Sequence, residues 1–188
     1  MGKIVVTEFV SLDGVIEDPG GAESFEHGGW TFEIDRGSEG DQFKLGELGE
    51  AEAQLLGRTT YEGFAAAWPT REDEAGFADK MNSMPKYVYS TTLQHPTWAN
   101  TTVLSGDFAE DIRQLRDSVD GVILVAGSAT LVQGLVDNDL VDELRLMVFP
   151  VILGSGKRLF AASGKKPLAL TDAKTVGAGV QVLTYERA

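Results

Sequence analysis

Two glycine turns are the parts of this sequence best suited to chemistry on a shared ligand. The first is Leu55-Leu56-Gly57-Arg58-Thr59-Thr60-Tyr61, and the second is Val122-Ile123-Leu124-Val125-Ala126-Gly127-Ser128-Ala129-Thr130. In each, an apolar run ends on glycine and a short helical stretch begins among hydroxyl side chains. The first N–H groups of a helix have no partner within it, and the helix dipole is positive there, so each turn is a natural anion site. Gly57 and Gly127 allow a tight turn or a close backbone approach to a ligand. Thr59 can cap its helix, and Arg58 offers a planar fork of donors suited to phosphate. Together the turns suggest a ligand with phosphates in more than one place, and a dinucleotide cofactor is the first candidate. Taken singly, each turn also fits a plain strand-to-helix junction with a capping hydroxyl. Ser90-Thr91-Thr92, at the end of another strand, reads either as a phosphate contact or as a hydroxyl-rich turn.

Other chemistries find little support. There is no cysteine, which excludes disulfides, thiolate nucleophiles and cysteine-ligated metal or iron–sulfur sites. Gly154-Ser155-Gly156-Lys157 resembles the end of a Walker loop, but Val151 stands where its first glycine is required, so a turn between strands is the better reading. No Gly-x-Ser-x-Gly nucleophile elbow occurs. His27 and His95, the only histidines, read as surface residues and cannot form a histidine metal cluster, so no metal is expected. Asp13, beside Gly14, fits a general acid in a cleft or an ordinary Asp-Gly turn. Trp30 and Phe32, in a long polar segment, fit either stacking on a flat substrate ring or anchoring their loop to the core.

These residues need elements to hold them. Lys3–Val10 reads as a first strand, and the segment from Gly14 to Gly40 as a long loop of the kind that carries binding function. Helical spacing is found over Phe43–Glu52, Thr59–Ala67, Asp107–Ser118 and Leu131–Val136. Strand-like runs cover Ala53–Gly57, Met84–Ser90, Thr101–Leu104, Gly121–Val125 and Leu144–Ile152, and Leu168–Thr175 and Gly179–Glu186 form a terminal pair. Strands alternating with helices and then giving way to strands predict an α/β sheet, parallel with an antiparallel end.

A length of 188 residues suits a single domain over 1–188, and the 43% apolar share is ordinary for a globular chain. No run approaches a membrane span, and the chain enters strand-like sequence at once, leaving no room for a signal peptide. The net charge of −13 disfavours nucleic acid and anionic lipid as partners. It also gives weight to where Arg58, Lys86, Lys157 and Arg158 are placed. A cytoplasmic location is the expectation.

In order along the chain, these pieces resemble the dihydrofolate reductase superfamily. The nearer likeness is to the reductase domain of the bifunctional riboflavin-biosynthesis deaminase/reductase and its stand-alone relatives. The segments that carry it are Val10–Ile16, Leu55–Glu62, Pro85–Ser90, Val125–Ser128, Val141–Leu146 and Pro150–Phe160. The resemblance implies a three-layer fold around a central, mostly parallel eight-stranded sheet, with NADPH across the strand ends. It assigns Gly57, Arg58, Thr59 and Thr60 to the adenine-side phosphates, and Ser90 and Thr91 to the 2′-phosphate. Ala126, Gly127, Ser128, Ala129 and Thr130 fall on the pyrophosphate, while Phe9, Val10 and Ile16 fall near the nicotinamide. It also implies a cis Ala126–Gly127 peptide bond and a homodimer through the Leu144–Ile152 region.

The expected activity is hydride transfer from NADPH to a small conjugated heterocycle, pterin-like or pyrimidine-like, bound against Trp30. The catalytic acid is not legible: a proton comes from an acid within 23–35 or from water. The acid that folate reductases carry on their first helix has no aligned counterpart. The alternative is a non-catalytic module that binds a nucleotide, flavin or drug on the same fold.

Overall fold

A computed structural model describes residues 1–160 and 164–188. Its centre is an eight-stranded sheet in the order β4-β3-β2-β5-β1-β6-β8-β7. The strands are β1 (Lys3–Ser11), β2 (Ala51–Gly57), β3 (Lys86–Tyr89), β4 (Thr101–Leu104), β5 (Val122–Ala126), β6 (Glu143–Phe149), β7 (Leu168–Val176) and β8 (Val180–Arg187). Strands β1 to β6 are parallel, whereas β8 runs antiparallel to β6 and β7 antiparallel to β8. Among the described residues five α-helices pack on this sheet: α1 (Gly37–Glu50), α2 (Arg58–Ala67), α3 (Phe77–Ser83), α4 (Phe108–Ser118) and α5 (Ala129–Asp137). This is the mostly parallel α/β sheet with an antiparallel C-terminal end that the sequence predicts.

Both faces of the central strands are covered, which is why they read as continuous apolar runs rather than as alternating ones. Ile4, Val5 and Val6 of β1 are all fully buried. One face, with Ile4, Val6, Ile123 and Val125, packs under α4 and α5 through Ile112, Leu115, Leu131 and Leu135. The other, with Val5, Leu56, Val88 and Leu124, packs under α1, α2 and α3 through Leu48, Tyr61 and Met81.

Two departures from the sequence reading have local causes. Helix α1 begins at Gly37, six residues before the predicted start, because Gly37, Gly40, Gly46 and Gly49 blur its periodicity. Packing holds it instead, with Gly40, Glu47 and Leu48 turned inward. Helix α3 was not predicted; the Asp73 carboxylate accepts the N–H groups of Phe77 and Ala78 and so starts it. Strand β6, within the expected interface region Leu144–Ile152, is an interior strand paired by β1 and β8.

Lys86 is not at a ligand site. It is fully buried at the start of β3, where its ammonium donates to the carbonyls of Asn82, Met84 and Ala99 and lies over the Trp98 ring. Burial pushes it down to about 8, so at neutral pH it keeps the three protons that its three acceptors use.

Candidate functional site

Strands β2 and β5 are neighbours in the sheet, so the helices that follow them start side by side at the strands' C-terminal ends. The two glycine turns are therefore one structure. The hydroxyls of Thr60 and Ser128 lie 3.0 Å apart in a hydrogen bond that joins the first turn of α2 to the start of α5. A Cβ on Gly57 would fall 2.1 Å from Ser128 Oγ, and one on Gly127 would fall 2.6 Å from Thr60 Oγ1. Each glycine is needed because the other turn's hydroxyl occupies the space of its missing side chain.

Neither helix has a side-chain cap. Gly57 is the N-cap residue of α2, and Thr59, a candidate cap in the sequence, makes no capping bond. Two positive helix ends are thus presented next to each other with their N–H groups open, which suits an anion. The Ala126–Gly127 peptide bond is trans, correcting the expected cis bond; no cis bond occurs among the described residues. The chain reverses instead through consecutive left-handed residues, Gly127 at φ 72° and Ser128 at φ 65°.

Arg58 stands beside this double turn. Its guanidinium donates to Glu62 Oε1 at 2.7 Å and to Thr92 Oγ1 at 2.7 Å. Ser90 Oγ accepts the N–H groups of Thr92 and Leu93 and so shapes that loop, while Thr91 is exposed. Thr92, rather than Ser90 or Thr91, is the hydroxyl that meets Arg58; only the run of three hydroxyl residues signalled it. Lys157 and Arg158 lie elsewhere: Lys157 pairs with Glu17, and Arg158 donates to the carbonyl of Asp13.

At the end of β1 the alternation of side chains separates two of the expected nicotinamide residues. Val10, together with Ile16, packs into the α5-side core, whereas Phe9 faces α1. There the Phe9 ring meets Phe149 edge-on, with Arg36 5.2 Å and Lys44 4.9 Å from its centre. The inward acid of α1 is Glu47, which accepts from Thr7 Oγ1 and pairs with Lys44 at 2.7 Å.

Trp30 requires a correction. It is only 1% exposed, donates its indole N–H to the Glu17 carbonyl and packs edge-on against Phe149. It has no ring face to offer a substrate and anchors the long loop to the core. Trp30→Ala is expected to lower stability by about 3–5 kcal/mol in denaturant unfolding, as truncation of a buried large aromatic does. Phe32, two residues on, is 81% exposed.

The long loop itself is ordered by buried Asp18, whose carboxylate accepts the N–H groups of Ala22 and Phe25. Asp13 fastens the start of the loop to the segment after β6. It accepts from Ser11 Oγ and from the N–H groups of Leu153 and Gly154, and these bonds hold its carboxyl down at about 2. An acid so strongly ionised is a clasp and not a proton donor.

Sequence reasoning passed over Glu8. This acid lies in the apolar face of β1, is only 6% exposed, and accepts the Gly127 N–H at 2.9 Å. Burial pushes its carboxyl up to about 8, partly opposed by Lys44. Its signal was a lone carboxylate within an otherwise apolar strand.

The mostly parallel eight-stranded sheet with its antiparallel C-terminal end is a dihydrofolate reductase-like fold. The chain belongs, more narrowly, to the RibD C-terminal domain family, whose model matches residues 2–182. It is 27% identical over 187 residues to YyaP of Bacillus subtilis (strain 168), covering 97% of this chain and 94% of that one. Among solved structures it is similar to a putative riboflavin biosynthesis protein from Shewanella sp. PV-4, with a TM-score of 0.78, 21% identity and 99% of each chain covered. It is also similar to a pyrimidine reductase-like protein from Corynebacterium diphtheriae, with a TM-score of 0.65, 14% identity, and 100% and 92% coverage. Dihydrofolate reductase from Enterococcus faecalis, complexed with NADP(H) and RAB-propyl, matches with a TM-score of 0.60, 16% identity, and 99% and 96% coverage. No helix among the described residues is long and apolar enough to cross a membrane, and no group of three or more ligating side chains among them is placed to hold a metal ion.

Proposed function

We propose that this chain is an NADPH-dependent reductase acting on a small conjugated heterocycle, pterin-like or pyrimidine-like, as a single cytoplasmic domain. The observation that carries the reading is the braced double turn, with Thr60 bonded to Ser128 and two uncapped helix ends side by side. The donors present fit the cofactor. Open N–H groups at Ser128, Ala129 and Thr130 suit a pyrophosphate, and the Arg58 fork with Thr92 beside it suits a 2′-phosphate. The NADP(H) complex of the Enterococcus faecalis reductase supports the cofactor, and the pyrimidine reductase-like neighbour supports the substrate class.

When bound, the nicotinamide supplies the hydride. The chain's own part is to fix the phosphates at the double turn and to wall the reacting end with Val10 and Ile16 from one face of the sheet, Phe9 lying on the other. With Asp13 clasped in its ionised form, the proton comes from an acid of the 23–35 segment or from water. The clasped Asp13 and the buried Trp30 favour, as a second reading, a module that binds NADPH without turnover.

Following NADPH oxidation against a panel of pterins, pyrimidines and quinones tests the proposal. Turnover with one of them supports the reductase. NADPH binding with no turnover across the panel favours the binding module, and no binding overturns both readings.

A further inference from the structure

We propose that Glu8 couples a proton to dinucleotide binding: its carboxyl, hydrogen-bonded to the N–H of Gly127, must be protonated when a pyrophosphate lies over the Ala126–Thr130 turn. The inference rests on the cofactor reading above. Its basis is position. Thr7 and Ala126 are register partners in β1 and β5, so the next residue of β1 lies directly behind the second glycine turn. Glu8 Oε1 takes the Gly127 N–H at 2.9 Å, one residue before the N-cap of α5. An ionised carboxylate there occupies the positive end of the helix from behind and repels an anion in front.

Glu8 has no counter-ion of its own on this face. Val6 and Val10, two positions away on either side along β1, and Val125 of the neighbouring β5 belong to the apolar core, and its β6 register partner is Leu146. The charged groups that act on it come from α1 on the other face of the sheet. Lys44 favours the charged form and Glu47 opposes it, and the turn from β5 to α5 contributes the Gly127 N–H alone. Lys44 is itself paired with Glu47 at 2.7 Å, so its help to Glu8 is divided. Glu8 Oε2 has no hydrogen-bond partner among the described residues. A proton on Oε2 therefore makes Glu8 a neutral backing to the turn and gives it a free donor.

The sign follows from linkage. Binding an anion raises the affinity of Glu8 for its proton, so affinity is full below the carboxyl's own value, about 8, and falls as pH rises through it. The test is the Kd of NADPH between pH 7.5 and 9.5 for the wild-type chain and for Glu8→Gln. The glutamine keeps an oxygen for the Gly127 N–H but cannot ionise. Free phosphate monoesters lose their second proton near pH 6, so the 2′-phosphate is fully charged throughout this window. Lys86, the other group brought to about 8, lies at the start of β3 and is present in both proteins.

Wild-type affinity is expected to fall about tenfold per pH unit above 8, for NADH as for NADPH, while Glu8→Gln stays flat. Calorimetry of the wild-type chain in buffers of different ionisation enthalpy should show uptake approaching one proton per NADPH at the upper end of the window. That measurement still decides the matter if the variant fails to fold. Binding that is independent of pH, an equally steep slope in Glu8→Gln, or no proton uptake would overturn the role of Glu8 and leave the cofactor reading standing. No NADPH binding at any pH would overturn both.

Discussion

Gly57→Ala is expected to weaken NADPH binding by about 100-fold, equivalent to about 2.7 kcal/mol, while the sheet remains folded. Torsion does not oppose the change, since Gly57 sits at φ −82° and ψ 164°, which alanine adopts freely. The obstacle is contact alone. The new methyl would lie 2.1 Å from Ser128 Oγ and 2.5 Å from Ser128 Cβ. Ser128 has little room to yield, being already in the left-handed region at φ 65° and bonded to Thr60. The second turn must move away from the first, which breaks the hydroxyl bond and separates the two helix ends. Overpacking of this kind costs about 1–3 kcal/mol of stability, so a lower but cooperative thermal transition should accompany the loss of binding. Titration of NADPH fluorescence would check it, and an affinity close to that of the wild type would show that the cofactor does not use this cradle.

Charge reversal at Arg58 tests the other end of the proposed ligand. Arg58→Glu should weaken NADPH by about 100-fold and NADH by only a few-fold. A charge-assisted hydrogen bond contributes about 1.5–3 kcal/mol, and reversal adds repulsion to that loss. The new carboxylate would also face Glu62, which now accepts from Arg58 at 2.7 Å. Arg58 and Glu62 are each about half exposed, at 48% and 50%, so their pairing is screened and little stability should be lost. Folding is thus separated from binding in this variant. Parallel calorimetric titrations of the two nucleotides give the result, and an equal loss of both would remove Arg58 from the 2′-phosphate.

Much of the scaffold was legible because its signals are local. The runs Ile4–Val6 and Val122–Val125 are apolar without alternation, as strands covered on both faces must be, and glycine followed by hydroxyls marked where helices begin. Signals failed where packing overrode propensity. The glycines of α1 hide a helix that its buried face holds in place, and Trp30 reads as a free ring until Phe149 and the Glu17 carbonyl enclose it.

The candidate site divides along the same line. By itself the sequence determined that two glycine turns open onto helices, with an arginine and a run of hydroxyls near them, because steric freedom at glycine and open helix ends are properties of a few consecutive residues. Only the tertiary structure decided that the turns are one cradle. Thr60 and Ser128 are 68 residues apart, and Glu8 and Gly127 are 119 apart. What joins them is the strand order β2-β5-β1, which hydrophobic burial across the whole sheet imposes and no local pattern encodes. That order also turned Glu8 from an interruption in an apolar strand into a carboxyl that touches the second glycine turn.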